Sequence, residues 1–241
     1  MPRRSAADAG GQQTMSINTV STIDDLVAVN CVLVSVSDKS GLDRFIPKLI
    51  DINPKVKILS TGGTFAHIAK ILGNRAADHL TAVSDYTGQP ETQGGLVKTL
   101  DFKIYLGLLT ETYNPAHQAD LKRTSAVPID MAVVNLYPFA DTIAKPGVTP
   151  EAARGNIDIG GPCMVRAAAK NHIRTASVVD PADYASIIDE LTARGGRISL
   201  ETRFRLAAKA FRHTATYDRA IADYLEGLNA ADVRAAYPDI R

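Results

Sequence analysis

What most constrains this chain is the alternation of short, β-branched apolar runs with helix-patterned segments. Cys31-Val32-Leu33-Val34-Ser35-Val36 reads as a buried strand. A helix pattern follows through Leu42, Phe45, Ile46, Leu49 and Ile50, which Pro47 is expected to kink or shorten. Val56 to Leu59 reads as a second strand, ending in Ser60-Thr61-Gly62-Gly63-Thr64 before a helix from Phe65 to Leu72. A third strand is expected within Ala76 to Val83, a fourth from Ile129 to Asn135 and a last one from Ala176 to Val179. Asn114-Pro115, Thr149-Pro150-Glu151, Asp180-Pro181 and Ser199 are helix starts, with a capping side chain at each and proline at the first helical position in three. Helices are predicted from Pro162 to Asn171 (after Gly160-Gly161), from Asp180-Pro181 to about Ala193, from Ser199 through Phe211, and separately from Tyr217 to Leu228. Ser84 to Thr110 is rich in Gly, Thr and charge, and longer than an ordinary connection, as functional segments often are.

Strands alternating with helices imply an α/β fold, a mostly parallel sheet covered on both faces. Ligands of such sheets bind beyond the carboxyl ends of the strands. The residues that follow each strand are therefore the first candidates: Ser37 and Lys39, then Thr61 to Thr64, then Ser84 and Asp85, then Asn135 and Tyr137. Thr61-Gly62-Gly63-Thr64 between a strand and a helix is a plausible phosphate cradle, because glycines admit a close backbone approach and the helix amides point outward. Lys39 adds a positive charge from the neighbouring turn. The alternative is a glycine-rich turn and helix cap with no ligand.

Composition narrows the function. The 241 residues carry 27 basic and 26 acidic side chains, a net charge of +1. That gives no global electrostatic case for nucleic acid or an acidic membrane surface. No stretch approaches the roughly 20 apolar residues of a membrane span. The two cysteines, Cys31 and Cys163, form no CxxC and suit a reducing compartment, so a cytoplasmic location is expected. The five histidines form no close pair with a carboxylate, so no metal is expected. Neither the P-loop nor the dinucleotide fingerprint occurs, and there is no GxSxG nucleophile elbow.

Several separate motifs then occur in order: Val34-Ser35-Val36-Ser37-Asp38-Lys39-Ser40-Gly41, Ser60-Thr61-Gly62-Gly63-Thr64, Val97-Lys98-Thr99-Leu100, Val134-Asn135-Leu136-Tyr137-Pro138-Phe139, Asn156-Ile157-Asp158-Ile159-Gly160-Gly161-Pro162, Ala167-Ala168-Ala169-Lys170-Asn171-His172, and Lys209-Ala210-Phe211 with His213-Thr214-Ala215 and Tyr217-Asp218. From about Cys31 to Leu225 the chain closely resembles the inosine monophosphate (IMP) cyclohydrolase domain, normally the N-terminal half of a bifunctional AICAR transformylase/IMP cyclohydrolase. The resemblance implies a methylglyoxal-synthase-like sheet with a C-terminal helical extension, in a homodimer. It divides the chain into a partly flexible tail (1–30), an α/β nucleotide-binding domain (31–197) and a helical extension (198–241). It implies dehydrating closure of the purine ring, from 5-formamidoimidazole-4-carboxamide ribonucleotide (FAICAR) to IMP, with no cofactor or metal. A separate formyl-transferring enzyme is expected upstream.

The resemblance also implies roles. Asp158 and Lys170 act on the carboxamide. Lys98 and Tyr137 stabilise the formyl oxygen. Ser35, Ser37, Lys39, Thr61, Gly62, Gly63, Thr64 and Thr99 hold phosphate and ribose, and Asn135, Gly160 and Gly161 join the substrate-binding set. Taken alone, Lys170 reads as a solvated helix face, Asp158 as a helix-start acid and Tyr137 as a packing aromatic. If the helix starts at Pro162, Lys170 stands about 12 Å along its axis. One segment departs from the family. Leu96 replaces an arginine, Asp101-Phe102 a His-Pro pair, and Tyr105 a histidine. An arginine lost there removes a bidentate phosphate contact. Two alternatives therefore stand beside the cyclohydrolase: a catalytically weak homologue that binds a purine nucleotide or precursor, and a methylglyoxal-synthase-like lyase.

Overall fold

The computed structural model describes residues 19–89 and 99–240. Strand β1 (Leu26–Ala28) precedes β2 (Cys31–Val36), α1 (Leu42–Ile52), β3 (Lys57–Ser60) and α2 (Gly62–Leu72). Next come the short helix α3 (Ala76–His79), β4 (Leu80–Ala82), α4 (Val83–Thr87), α5 (Phe102–Leu109), α6 (Pro115–Thr124) and β5 (Met131–Asn135). Helices α7 (Phe139–Ile143), α8 (Pro150–Gly155) and α9 (Gly160–Lys170) lead to β6 (Ala176–Val178), α10 (Tyr184–Ala193) and β7 (Arg197–Ser199). The chain closes with α11 (Leu200–Glu226) and α12 (Ala230–Ala235).

Five strands form one sheet in the order β4-β3-β2-β5-β6, every neighbouring pair parallel. Side chains of a strand alternate between faces, and here both faces are apolar. Val32, Val34, Ile58, Met131, Val133 and Val178 pack on one side under α1, α2 and α10. Leu33, Leu59, Ala132 and Val134 pack on the other under α5, α9 and α11. The chain builds outward from β2 through β3 to β4, then crosses back to β5 and β6. The order therefore reverses between β2 and β5, where a crevice opens at the carboxyl ends.

Several local expectations change. Helix α1 runs through Pro47 to Ile52. Of Ala76 to Val83 only three residues are strand, because the Ala-Ala-Asp-His stretch before them forms α3. Gly160 and Gly161 lie inside α9 as its first turn. The two C-terminal helices expected from Ser199 and Tyr217 are one: α11 runs 27 residues with no Gly or Pro to break it, and Leu206, Ala207, Ala210, Thr214 and Tyr217 share its buried stripe. The tail assigned to 1–30 contains β1, which pairs antiparallel with β7, so the boundary between 197 and 198 falls within a strand. Fully buried Arg203 on α11 fastens this corner, donating to the carbonyls of Asp24, Asp25, His172, Ile173 and Ile198. Among the described residues, no helix is long and apolar enough to cross a membrane.

Candidate active site

The crevice at the strand-order reversal holds a cavity of about 430 Å³. Three strand-end loops, the stretch before α5 and the turn into α9 build it. Ser35, Ser37 and Lys39 come from the end of β2, and Thr61, Gly62, Gly63 and Thr64 from the β3–α2 turn. Asn135 and Tyr137 follow β5, Thr99 leads toward α5, and Asp158, Gly160 and Gly161 come from the turn into α9. Apart from Lys98 and Lys170, these are the residues the sequence assigned, gathered around one cavity. Gly155, Ile157, Ile159 and Met164 line it as well. They were not singled out, although Ile157 and Ile159 flank Asp158 in the same motif.

On the β2–β3 side the groups are donors. The amides of Gly62 and Gly63 open α2, where no helical acceptor precedes them, so they are free for an anion. Ser35 and Thr61 share one hydrogen bond between their hydroxyls at 3.0 Å, which leaves one of the two protons available to a ligand. Lys39 Nζ donates to the Ser37 carbonyl at 3.3 Å, keeping the ammonium beside the loop.

Two assigned residues do structural work with their side chains. Thr64 Oγ1 accepts the Val36 amide at 3.1 Å and donates to the Val36 carbonyl at 2.9 Å, tying α2 to β2. Asn135 Oδ1 accepts the amides of Ser37 and Asp38, and its Nδ2 donates to the Asp38 carbonyl. The asparagine thus fixes the loop that carries Lys39 across the strand-order reversal.

On the α9 side stands a carboxylate. Asp158 Oδ1 accepts the Gly161 amide at 2.9 Å. Burial raises the Asp158 pKa above the usual carboxylate range, while the amides of Gly161 and Tyr137 pull it back. The first turn of α9 must be glycine for this approach. A Cβ on Gly161 would stand 2.3 Å from Asp158 Oδ2, and one on Gly160 would stand 2.5 Å from Thr99 Oγ1. Tyr137 is 54% exposed on the rim of the cavity.

Lys98 and Leu96 lie outside the described residues. Lys170 is described, and it ends α9 on an exposed surface, away from the residues that line the cavity. One departure from the family pattern has a structural job. Asp101 is buried, caps α5 by accepting the Lys103 amide at 2.7 Å, and accepts Gln89 Nε2 at 2.7 Å. Tyr105 sits on the same helix with its hydroxyl buried beside Cys163, and burial pushes its pKa up. Among the described residues, no group of three His, Cys, Asp or Glu side chains could hold a metal ion.

Tyr217 escaped the sequence reading. Its hydroxyl accepts the Asp158 backbone amide at 2.7 Å from 59 residues away. Its place in the His213-Thr214-Ala215 and Tyr217-Asp218 motif was the available signal, but nothing local says which loop it meets.

Comparison with known proteins gives two family matches. Residues 41–163 match the model of the MGS-like domain. Residues 168–239 match that of the AICARFT/IMPCHase bienzyme. The solved structure of ForH is similar, with 27% identity and a TM-score of 0.69 over 87% of this chain and 99% of that one.

Proposed function

This chain belongs to the MGS-like family and is an IMP cyclohydrolase-type domain, and from that premise we propose that it closes the purine ring of FAICAR to give IMP and water. The observation that carries the reading is one cavity with an anion cradle on one wall and a half-buried carboxylate on the other. The amides of Gly62 and Gly63, with Lys39, take the 5′-phosphate. The heterocycle then extends past Tyr137 toward Asp158.

The reaction needs little beyond positioning and proton transfer. The carboxamide nitrogen attacks the formyl carbon, and a C–N bond forms as the carbonyl electrons move to oxygen. The nitrogen loses a proton and the oxygen gains one. The resulting hydroxyl then leaves as water with the proton of the former formamido nitrogen, which forms the C=N bond. Both reacting groups sit on one rigid nucleotide, so proximity is already supplied. Asp158 is the proton acceptor for the attacking nitrogen, and its raised pKa makes it a stronger base than an exposed carboxylate. Tyr137 donates to the formyl oxygen. Lys98, next to the cavity residue Thr99, joins it on the strength of the family resemblance.

Lys170 is exposed at the far end of α9 and does not line this cavity. The working unit is therefore a homodimer in which a second copy supplies it. The chemistry of its substrate requires a formyl-transfer reaction to supply it. A second reading, nucleotide binding without turnover, is favoured by the same position of Lys170 and by Asp101, which serves as a helix cap in place of a ligand-facing group.

The test is the ultraviolet change on purine formation when pure protein meets the formylated ribonucleotide. The cyclohydrolase reading expects turnover without added metal, folate or nucleoside triphosphate. Folded protein that binds IMP but leaves the substrate unchanged would establish the second reading instead.

A further inference from the structure

We propose that Tyr217 is a positioning residue for this ring closure: its hydroxyl fixes the turn that carries Asp158 and so aims that carboxyl into the cavity. The inference rests on the cyclohydrolase reading. Tyr217 lies on α11 with 8% of its surface exposed and does not line the cavity, so it acts through Asp158. Its hydroxyl accepts the Asp158 amide at 2.7 Å and reaches the Asn156 carbonyl at 3.5 Å. One group thus spans both ends of the Asn156-Ile157-Asp158 turn between α8 and α9. The Gly161 amide holds the carboxyl itself. Asp158 is therefore anchored from two helices, by its side chain to α9 and by its backbone to α11.

The ring is held as well. Phe139 meets Tyr217 edge-on, with centroids 6.3 Å apart and planes at 70°. Phe139 follows Tyr137 and Pro138, so the ring that steadies Asp158 also packs against the segment that presents Tyr137. Without the hydroxyl, the Asp158 amide would lose its acceptor in a partly buried turn, and the turn would shift to recover one. A shift of about 1 Å in a reacting group costs roughly 10²-fold in rate.

The test compares wild type with Tyr217→Phe, which keeps the ring and removes the hydroxyl. Ring-closure kinetics are measured together with the titration of the Asp158 carboxyl, followed by NMR of ¹³C-labelled aspartate and assigned with Asp158→Asn. The expected result is a kcat lower by about 10–100-fold with KM within about two-fold. The Asp158 midpoint should also move down toward the ordinary carboxylate range, because a loosened turn admits water. Leu206→Ala, fully buried on the same helix in the core on the other face of the sheet, serves as the stability control: it should lower the melting temperature and leave the Asp158 midpoint where it is. A Tyr217→Phe protein with wild-type kcat and midpoint would overturn the proposal. So would a Leu206→Ala protein whose midpoint moves as far, since general destabilisation rather than the hydroxyl would then be responsible. If wild type shows no turnover, the cyclohydrolase reading fails by itself, and the NMR midpoint still decides whether Tyr217 holds Asp158.

Discussion

The Gly161 amide donates to one carboxylate oxygen of Asp158 at 2.9 Å, and a methyl group on its Cα would stand 2.3 Å from the other. The same methyl would come within 2.7 Å of Leu136 Cδ2. Gly161→Ala must therefore push the carboxyl out of place. The expected loss is roughly 10²-fold in kcat, with overpacking costing about 1–3 kcal/mol of stability. Steady-state kinetics and urea unfolding measure the two effects. Wild-type values in both would mean that the α9 start is looser than its geometry.

Lys39 is the cation beside the phosphate cradle, and its ammonium donates to the Ser37 carbonyl. A charge-assisted hydrogen bond contributes about 1.5–3 kcal/mol. Lys39→Ala should then weaken IMP binding by about 10–100-fold and leave inosine binding unchanged. Calorimetry with both ligands separates a phosphate contact from a general loss of the pocket.

If Lys170 serves the site of a second copy, two inactive variants can rescue one another. Lys170→Ala and Asp158→Asn are each expected to be nearly inactive alone. Mixed under conditions that exchange subunits, they should recover about a quarter of wild-type activity, because half the dimers are mixed and each holds one intact site. Recovery of nothing would place both residues in the same subunit's site or remove Lys170 from the reaction.

Away from the cavity, Arg174 and Asp130 form a buried ion pair at 3.0 Å. The guanidinium also donates to the carbonyls of Gly107, Thr110 and Ile129, and Asp130 accepts the amides of Asn30 and Cys31. Arg174→Met should destabilise the fold by about 3–5 kcal/mol, since it strands a buried charge. Burial already raises the Asp130 pKa, and the arginine opposes that rise. Removing the arginine raises it further. A group with a raised folded pKa loses stability as pH increases, so the variant's deficit should shrink on acidification as Asp130 takes up a proton. Urea midpoints across pH give the sign directly. A deficit that does not change with pH would show that the arginine does little to keep Asp130 ionised.

The strands were legible because a buried parallel strand is a local pattern. Val32 to Val36 reads as apolar on both faces wherever the strand is placed. The cradle was legible for a similar reason: Thr61-Gly62-Gly63-Thr64 marks a strand-to-helix turn by its own chemistry. Boundaries failed where two rules competed. Gly160 and Gly161 look like a stop before Pro162, yet α9 begins at Gly160, with the Asp158 carboxylate accepting the Gly161 amide of its first turn. Residues 212–216 look like a gap between helices, yet the continuous buried stripe on α11 carries the helix across.

By itself the sequence determined which segments carry the strands of the parallel sheet, that both faces of this sheet are covered, and which turn offers amides to an anion. Each follows from periodicity or turn chemistry within a few residues. The β1–β7 pair it did not determine. Tertiary structure decided the rest. The order β4-β3-β2-β5-β6 sets the loops after β2, β3 and β5 around one crevice, and it spends the side chains of Thr64 and Asn135 on holding that crevice together. It leaves Lys170 at the far end of the helix that Asp158 precedes. It also brings Tyr217 to Asp158 across 59 residues. Such partners are chosen by which strands neighbour one another and how the long helix lies across them, and no local pattern encodes a choice made between distant segments.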